Sequence, residues 1–136
     1  MSRGVQLATS FADRMRANTA QMRLPDGANP YLQLRYAAVT DGAPEPSPSC
    51  HAGAPCDSVA MASFDIDELR HELHAAFPAG RVAVCRDAVM WDDEAGSLSW
   101  DCTGAISDPV VIKLGWRVRS AGGPPMVAIV VPGDPA

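Results

Sequence analysis

Four cysteines constrain this chain more than any other feature of its sequence. Cys50, Cys56, Cys85 and Cys102 form an even set. Their spacings do not suit zinc, whose sites usually draw on cysteines about two to four residues apart. Here residues 51–55 separate the first two and residues 86–101 the last two. Four cysteines allow three pairings. Cys50–Cys56 with Cys85–Cys102 is favoured because each bond then closes a local loop; four free thiols in a cytosolic domain are the alternative. The favoured pairing implies an oxidising compartment.

At 136 residues, 47% of them apolar, the chain fits one domain with a real core. A formal net charge of −5 argues against nucleic acid as a partner, which calls for a basic footprint. No stretch approaches the ~20 apolar residues of a membrane span. Met1-Ser2-Arg3-Gly4 leads into a mixed segment rather than the apolar core of a signal peptide. An oxidised domain without an export signal is expected to be part of a longer protein.

Gly4, Leu7, Ala8, Phe11, Met15, Asn18 and Met22 recur at three- and four-residue steps. This predicts an amphipathic helix over residues 1–24, ended by Pro25-Asp26-Gly27. Tyr31 to Val39 alternates loosely and reads as a short strand or an extended loop. Residues 41–55, with Pro44, Pro46, Pro48 and Pro55, read as a Pro-rich linker. Asp65 is placed as the N-cap of a second helix over 65–77, with Glu68 completing a capping box. Ile66, Leu69, Leu73, Ala76 and Phe77 give that helix its apolar stripe, and Pro78-Ala79-Gly80 stops it. A preceding turn or short helix through Val59, Met61 and Phe64 is compatible with the pattern.

Beyond Gly80 the apolar period falls to two. Val82 and Val84, then Leu98, Trp100 and Cys102, then Ile112, Leu114, Trp116 and Val118, then Met126 to Val131 predict strands between residues 81 and 131. The third is expected to be half-buried, with Lys113, Arg117 and Arg119 on its solvated outer face. The fold class is α+β: helices packed on one face of a four-stranded antiparallel sheet.

Several pieces form an ordered set. They are Phe11-Ala12-Asp13-Arg14-Met15-Arg16-Ala17-Asn18, the cysteine loop Cys50 to Cys56, and Ala62-Ser63-Phe64-Asp65 leading to Phe77-Pro78-Ala79-Gly80-Arg81. Val84-Cys85-Arg86-Asp87, Cys102 and Val110-Val111-Ile112-Lys113-Leu114-Gly115-Trp116 follow. In this order they resemble the PilV-type minor pilins of type IV pili, over nearly the whole chain. The family's prepilin leader and hydrophobic N-terminal half-helix, which carry the cleavage site and the membrane anchor, have no counterpart here.

The resemblance implies a pilin-like fold. Residues 1–24 would be the C-terminal half of the spine helix, packing through Leu7, Ala8, Phe11, Met15 and Met22, and residues 25–136 the globular head. It implies a methylated prepilin held in the inner membrane and periplasm of a Gram-negative cell, then carried to the cell surface in the pilus. Its partners would be other minor pilins and the major pilin, with a tip adhesin in many systems. Its role would be to prime or modify assembly, and so to serve twitching motility and cell adhesion. Membrane contact would come only through the missing half-helix. No catalytic residue, cofactor or metal ligand is expected. A minor pseudopilin of type II secretion is the runner-up; a small secreted enzyme or ligand-binding module belongs to a different class.

The remaining polar clusters favour plain readings. His71 and His74 share a helix face but lack a third ligand, and an exposed pair is expected. Asp92-Asp93-Glu94 lacks the alternating order of a calcium loop and reads as the polar tip of the Cys85–Cys102 hairpin. Trp100 and Trp116 fall on apolar faces, as core residues do. Trp91, beside these acids, is the candidate for contact with a partner.

Non-reducing peptide mapping tests the cysteine pairing. It is expected to return Cys50–Cys56 and Cys85–Cys102, and a crossed fragment such as Cys50–Cys85 contradicts it. Opening the larger loop is expected to cost on the order of 3 kcal/mol.

Overall fold

The computed structural model describes residues 3–45, 50, 56–118 and 126–132. Pro46, Pro48, Pro55, Arg119 and the turn Gly122 to Pro125 lie outside them.

The first helix, α1, spans Arg3–Ala17 and buries Gly4, Ala8, Phe11, Ala12 and Met15. It does not run on to residue 24. Asn18 leaves the helical region at φ −94° and ψ 65°, and a separate single turn, α2 (Thr19–Met22), follows. The cause is the Asn18 side chain, which donates to the Tyr31 hydroxyl at 3.1 Å and to the Ser58 carbonyl at 2.8 Å. A short polar side chain with tertiary partners competes with helix continuation. Two 3₁₀ turns, Asp26–Ala28 and Pro30–Gln33, then lead into strand β1 (Arg35–Ala37) and a single helical turn, α3 (Ala38–Asp41).

The long helix α4 spans Ser58–Ala76. Its N-cap is Asp57, whose carboxylate accepts from the Ala60 amide at 2.8 Å. The expected cap at Asp65 is therefore corrected. Nothing between Val59 and Phe64 breaks a helix, so α4 extends back to the earlier Asp, which offers the same cap chemistry. Asp65 sits inside the helix, 3% exposed. It accepts from the Tyr31 hydroxyl at 2.7 Å and from Arg14 at 3.4 Å. Glu68 takes the other arm of Arg14 at 2.6 Å rather than closing a capping box.

The sheet is antiparallel and four-stranded, in the order β1, β2 (Arg81–Arg86), β5 (Val110–Gly115), β6 (Met126–Val131). The segment of Leu98, Trp100 and Cys102 does not supply one of its strands. Only Ser97–Leu98 (β4) is extended, and it pairs with Trp91–Asp92 (β3) in a separate two-residue ladder. Cys102 is bonded to Cys85 of β2, on the face opposite the core. The segment therefore crosses over the sheet instead of joining its edge. The place it leaves is taken by Arg35–Ala37, from the stretch that read as a strand or an extended loop.

One face of the sheet receives the helices. Val82 pairs with Leu114 and Val84 with Ile112 in register, and all four are at most 1% exposed. They meet Ala8, Phe11 and Met15 of α1 and Ile66, Leu69 and Leu73 of α4 in one core. Phe11 meets Tyr31 edge-on at 5.8 Å, and Phe77 meets half-buried Trp116 edge-on at 5.1 Å. Gly4 lies under the Trp116 ring so closely that a Cβ would fall 2.3 Å from it. Ile112 and Leu114 lie in this core, and Trp116 packs half-buried against it.

Leu73, fully buried, and His74, exposed beside it, divide α4 into core and solvent faces. Leu73→Ala is expected to lower unfolding free energy by about 2–5 kcal/mol, and His74→Ala to stay within about 0.5 kcal/mol of the parent. Urea denaturation of both variants checks the assigned face.

Candidate partner-facing surface

The outer face of β5 was expected to be solvated, and along the strand it is not; Arg117, beyond its end, is exposed as expected. Every residue of β5 is buried, Lys113 included. The cover is the long excursion between β2 and β5, residues 87–109. Its base closes where the Asp87 amide donates to the Pro109 carbonyl at 2.9 Å and the Gly104 amide to the Arg86 carbonyl at 2.9 Å. The Cys85–Cys102 disulfide pins its middle to β2. Trp100 lies along Gly115, where a Cβ would stand 3.0 Å from the ring. The Arg81 guanidinium packs over the same indole, 4.2 Å from its centroid, an attraction to the negative ring face.

Under this cover Lys113 is 0% exposed and Asp87 1%. The Lys113 ammonium donates to the Asp87 carboxylate, to the Ser99 carbonyl, and to the Asp101 carbonyl at 3.1 Å. Its three protons thus have three acceptors, the condition under which a buried ammonium is tolerated. The second Asp87 oxygen accepts from the amides of Val89 at 3.1 Å and Thr103 at 3.3 Å. Burial alone would raise the Asp87 pKa. The Lys113 hydrogen bond, the Val89 amide, the Lys113 charge and the Thr103 amide together outweigh it and hold the carboxyl below the usual aspartate range.

The expectation of a solvated Lys113 failed because strand alternation says which face a residue takes, not whether that face is covered. A signal was present in the sequence. Lys113 is the one lysine in a chain with ten arginines, and its neighbours across the sheet are Ala83 and Ala128. Small residues on both sides leave room for a long side chain to lie flat beneath a lid.

The excursion turns outward both acids, with Asp92, Asp93, Glu94 and Asp101 exposed, and three large apolar side chains. Val89 is 59% exposed, Trp91 45% and Ile106 79%. The tip is ordered: the Asp92 carboxylate accepts from the amides of Glu94 at 3.0 Å and Ala95 at 3.2 Å, so the acids form a tight turn between β3 and β4. Trp91 therefore stands on a braced hairpin. Trp100 and Trp116 are half-buried and serve packing.

The other sequence candidates fall elsewhere. Leu7, Ala8, Phe11, Met15 and Met22 turn into the chain's own core, so the apolar stripe of α1 is occupied within the molecule. The exposed residues of α1 are Arg3, Gln6, Thr9, Ser10, Asp13, Arg16 and Ala17. His71 and His74 are exposed, with His71 Nδ1 2.6 Å from the Asp67 carbonyl oxygen. Both disulfides form as expected, Cys50–Cys56 and Cys85–Cys102.

A cleft of about 340 Å³ at the start of α4 is lined by Arg14, Asn18, Ser58 and Asp65 among others. These polar groups bond one another or Tyr31 and Glu68, in a network that ties α1 to α4. Tyr31 is pushed well above the ordinary tyrosine pKa by burial and by its hydrogen bond to Asp65. A phenol so placed is a fixed donor, not a general base. No family model, curated protein or solved structure matches the chain.

Lys113→Met is expected to cost about 3–5 kcal/mol at neutral pH, because it strands a buried carboxylate. In the parent, Asp87 stabilises the fold above its unfolded-state pKa near ~4, and that contribution is lost as pH falls through the lower folded value. In the variant burial raises the same pKa, so the deficit should shrink as acid protonates Asp87. Replacing both residues, Lys113→Met with Asp87→Leu, should recover most of the loss. Urea denaturation of the three proteins at neutral and acid pH reads all three outcomes.

Proposed function

We propose that this chain is the head of a PilV-type minor pilin, a non-catalytic subunit that helps prime or modify type IV pilus assembly. The observation that carries this reading is the layering. The first helix lies across β5 and β6 on one side of an antiparallel sheet, and a disulfide-braced excursion covers the other. This plan suits a subunit whose helix enters a filament while its head stays outside. The ordered sequence resemblance, from Phe11-Ala12-Asp13-Arg14 to the strand ending at Trp116, supports the same reading.

In this role the head works by offering surfaces. Val89, Trp91 and Ile106 are apolar, exposed and braced, as interface anchors are. The polar face of α1 is a second exposed surface, and it would meet neighbouring subunits. The partners are other minor pilins and the major pilin, with a tip adhesin where one exists. The subunit would wait in the inner membrane, head in the periplasm, before joining the surface pilus. A minor pseudopilin of type II secretion would use the same layering in a short periplasmic fibre.

Deleting the gene is expected to abolish or strongly reduce surface pili and twitching while the major pilin is still made. A membrane-anchored copy should restore piliation, the 136-residue form should not, and an anchored Trp91→Ala copy should restore it only in part. Loss of protein secretion with pili intact would assign the chain to the pseudopilins instead. Unchanged piliation and secretion would overturn both readings.

A further inference from the structure

The excursion between β2 and β5 contains six acids, Asp87, Asp92, Asp93, Glu94, Asp101 and Asp108, and no lysine or arginine. All eleven bases of the chain lie outside it, together with the other ten acids. Lys113 is spent on Asp87, which leaves ten arginines against ten acids elsewhere. The chain's net charge of −5 is therefore the charge of this one segment.

The acids at its tip are not neutralised within the molecule. Among the described residues, Asp92, Asp93 and Glu94 form no ion pair. The arginines that touch the excursion are engaged elsewhere on it or beneath it. Arg81 is stacked on Trp100. Arg35 donates to the carbonyls of Leu32, Leu34 and Val84. Arg86 donates to the Asp108 carbonyl at 2.9 Å, and its charge is paired with Asp26 at 2.7 Å.

The same segment exposes Val89, Trp91 and Ile106. Hydrogen bonds join the stretches that carry them. The Ala88 amide donates to the Thr103 hydroxyl at 2.8 Å, that hydroxyl donates to the Asp108 carboxylate, and the Ser99 amide donates to the Met90 carbonyl at 2.9 Å. Trp91 runs directly into the three acids of the tip. An apolar surface with charge of one sign selects its partner: nucleic acid and anionic membranes are repelled, and a basic surface is attracted. An indole beside carboxylates suits a guanidinium in particular, because the ring face and the carboxylates attract the same cation.

We propose that this face docks a basic segment of a partner protein, with an arginine stacked on the Trp91 indole, further basic residues reaching Asp93 and Glu94, and the segment's apolar residues against Val89 and Ile106. Burial of the apolar side chains holds the complex, and the carboxylates set the preference for bases. A second copy of this chain fits less well. Its arginines are matched in number by acids outside the excursion, and Arg14, Arg70 and Arg86 are already in ion pairs. The inference rests on the docking role proposed above and adds the partner's chemistry; binding is read on the isolated protein, so it can fail while the piliation phenotype stands, and the reverse.

The test is a titration of the isotopically labelled 136-residue protein with the peptide acetyl-Arg-Val-Arg-Leu-Arg-Val-amide, followed by amide and indole chemical shifts. Shifts concentrated in residues 88–94 and 103–108, the Trp91 indole among them, are expected. The Glu-for-Arg peptide should bind about tenfold more weakly, and a peptide with glycine in place of its valines and leucine should also bind more weakly. Trp91→Ala should weaken the basic peptide roughly fivefold. Asp93→Asn with Glu94→Gln should do the same at low salt, with the difference fading by ~0.5 M salt. These side chains are exposed, and unchanged shifts in the rest of the protein confirm that each variant is folded. The proposal is overturned by no binding at ~1 mM peptide, by equal binding of either control peptide, by undiminished binding to Trp91→Ala, or by a dimer through residues 88–108 in the absence of peptide.

Discussion

The pairing of Lys113 with Asp87 is the interaction on which the rest of this structure turns. Each ion alone would cost several kcal/mol to bury. The arrangement holds because every ammonium proton and both carboxylate oxygens have partners, drawn from β5, from the residue after β2 and from the excursion between them. A buried ion pair is weak grounds for claiming net stability, since an apolar pair of similar shape often serves as well. What it adds here is uniqueness of placement. The Ser99 and Asp101 carbonyls must lie over β5 for Lys113 to be satisfied, so the lid has one position rather than many. The disulfide at Cys85 and Cys102 fixes the same segment covalently, and Trp100 against Gly115 fixes it by shape.

That constraint connects the two halves of the molecule. The inner face of the sheet is an ordinary apolar core, closed by α1 and α4. The outer face is closed by a segment with little regular structure, whose Val89, Trp91 and Ile106 are exposed rather than buried. Ionic, covalent and aromatic contacts hold it in place and make it a stiff support for them. Stiffness would suit the docking role proposed for this surface, because side chains already ordered lose less freedom on binding. The buried network of Asn18, Tyr31, Asp65 and Arg14 plays the corresponding role among the helices, fixing where α1 ends relative to α4.

Much of this was legible in the residues. The helix of Ile66, Leu69 and Leu73, the strands around Val82 and Ile112 and both cysteine pairs follow from periodicity and loop closure, which are local properties. The failures share a cause. Asp65 has good capping chemistry, but whether it caps depends on Asp57 upstream and on the Tyr31 hydroxyl in space. Asn18 breaks a stripe that continues past it, because its partners lie in a turn and a helix far along the chain. Leu98, Trp100 and Cys102 alternate as a strand does, yet a bond to Cys85 carries them across the sheet. Lys113 has the position of a solvated residue and the environment of a core one. In each case a long-range polar or covalent contact overrode a correct local pattern.

The most direct measurement is on Lys113 itself. The chain has a single lysine, so its side-chain ammonium gives one nitrogen resonance that needs no assignment by mutation. If the ammonium is held beneath the excursion by Asp87 and the two carbonyls, its protons exchange slowly with water at neutral pH. They then appear as a sharp, protected signal with through-space contacts to Asp87, Ser99 and Asp101. A lysine signal that is bleached by solvent exchange and lacks those contacts would mean an open outer face and an untethered lid, and would contradict the account at its foundation.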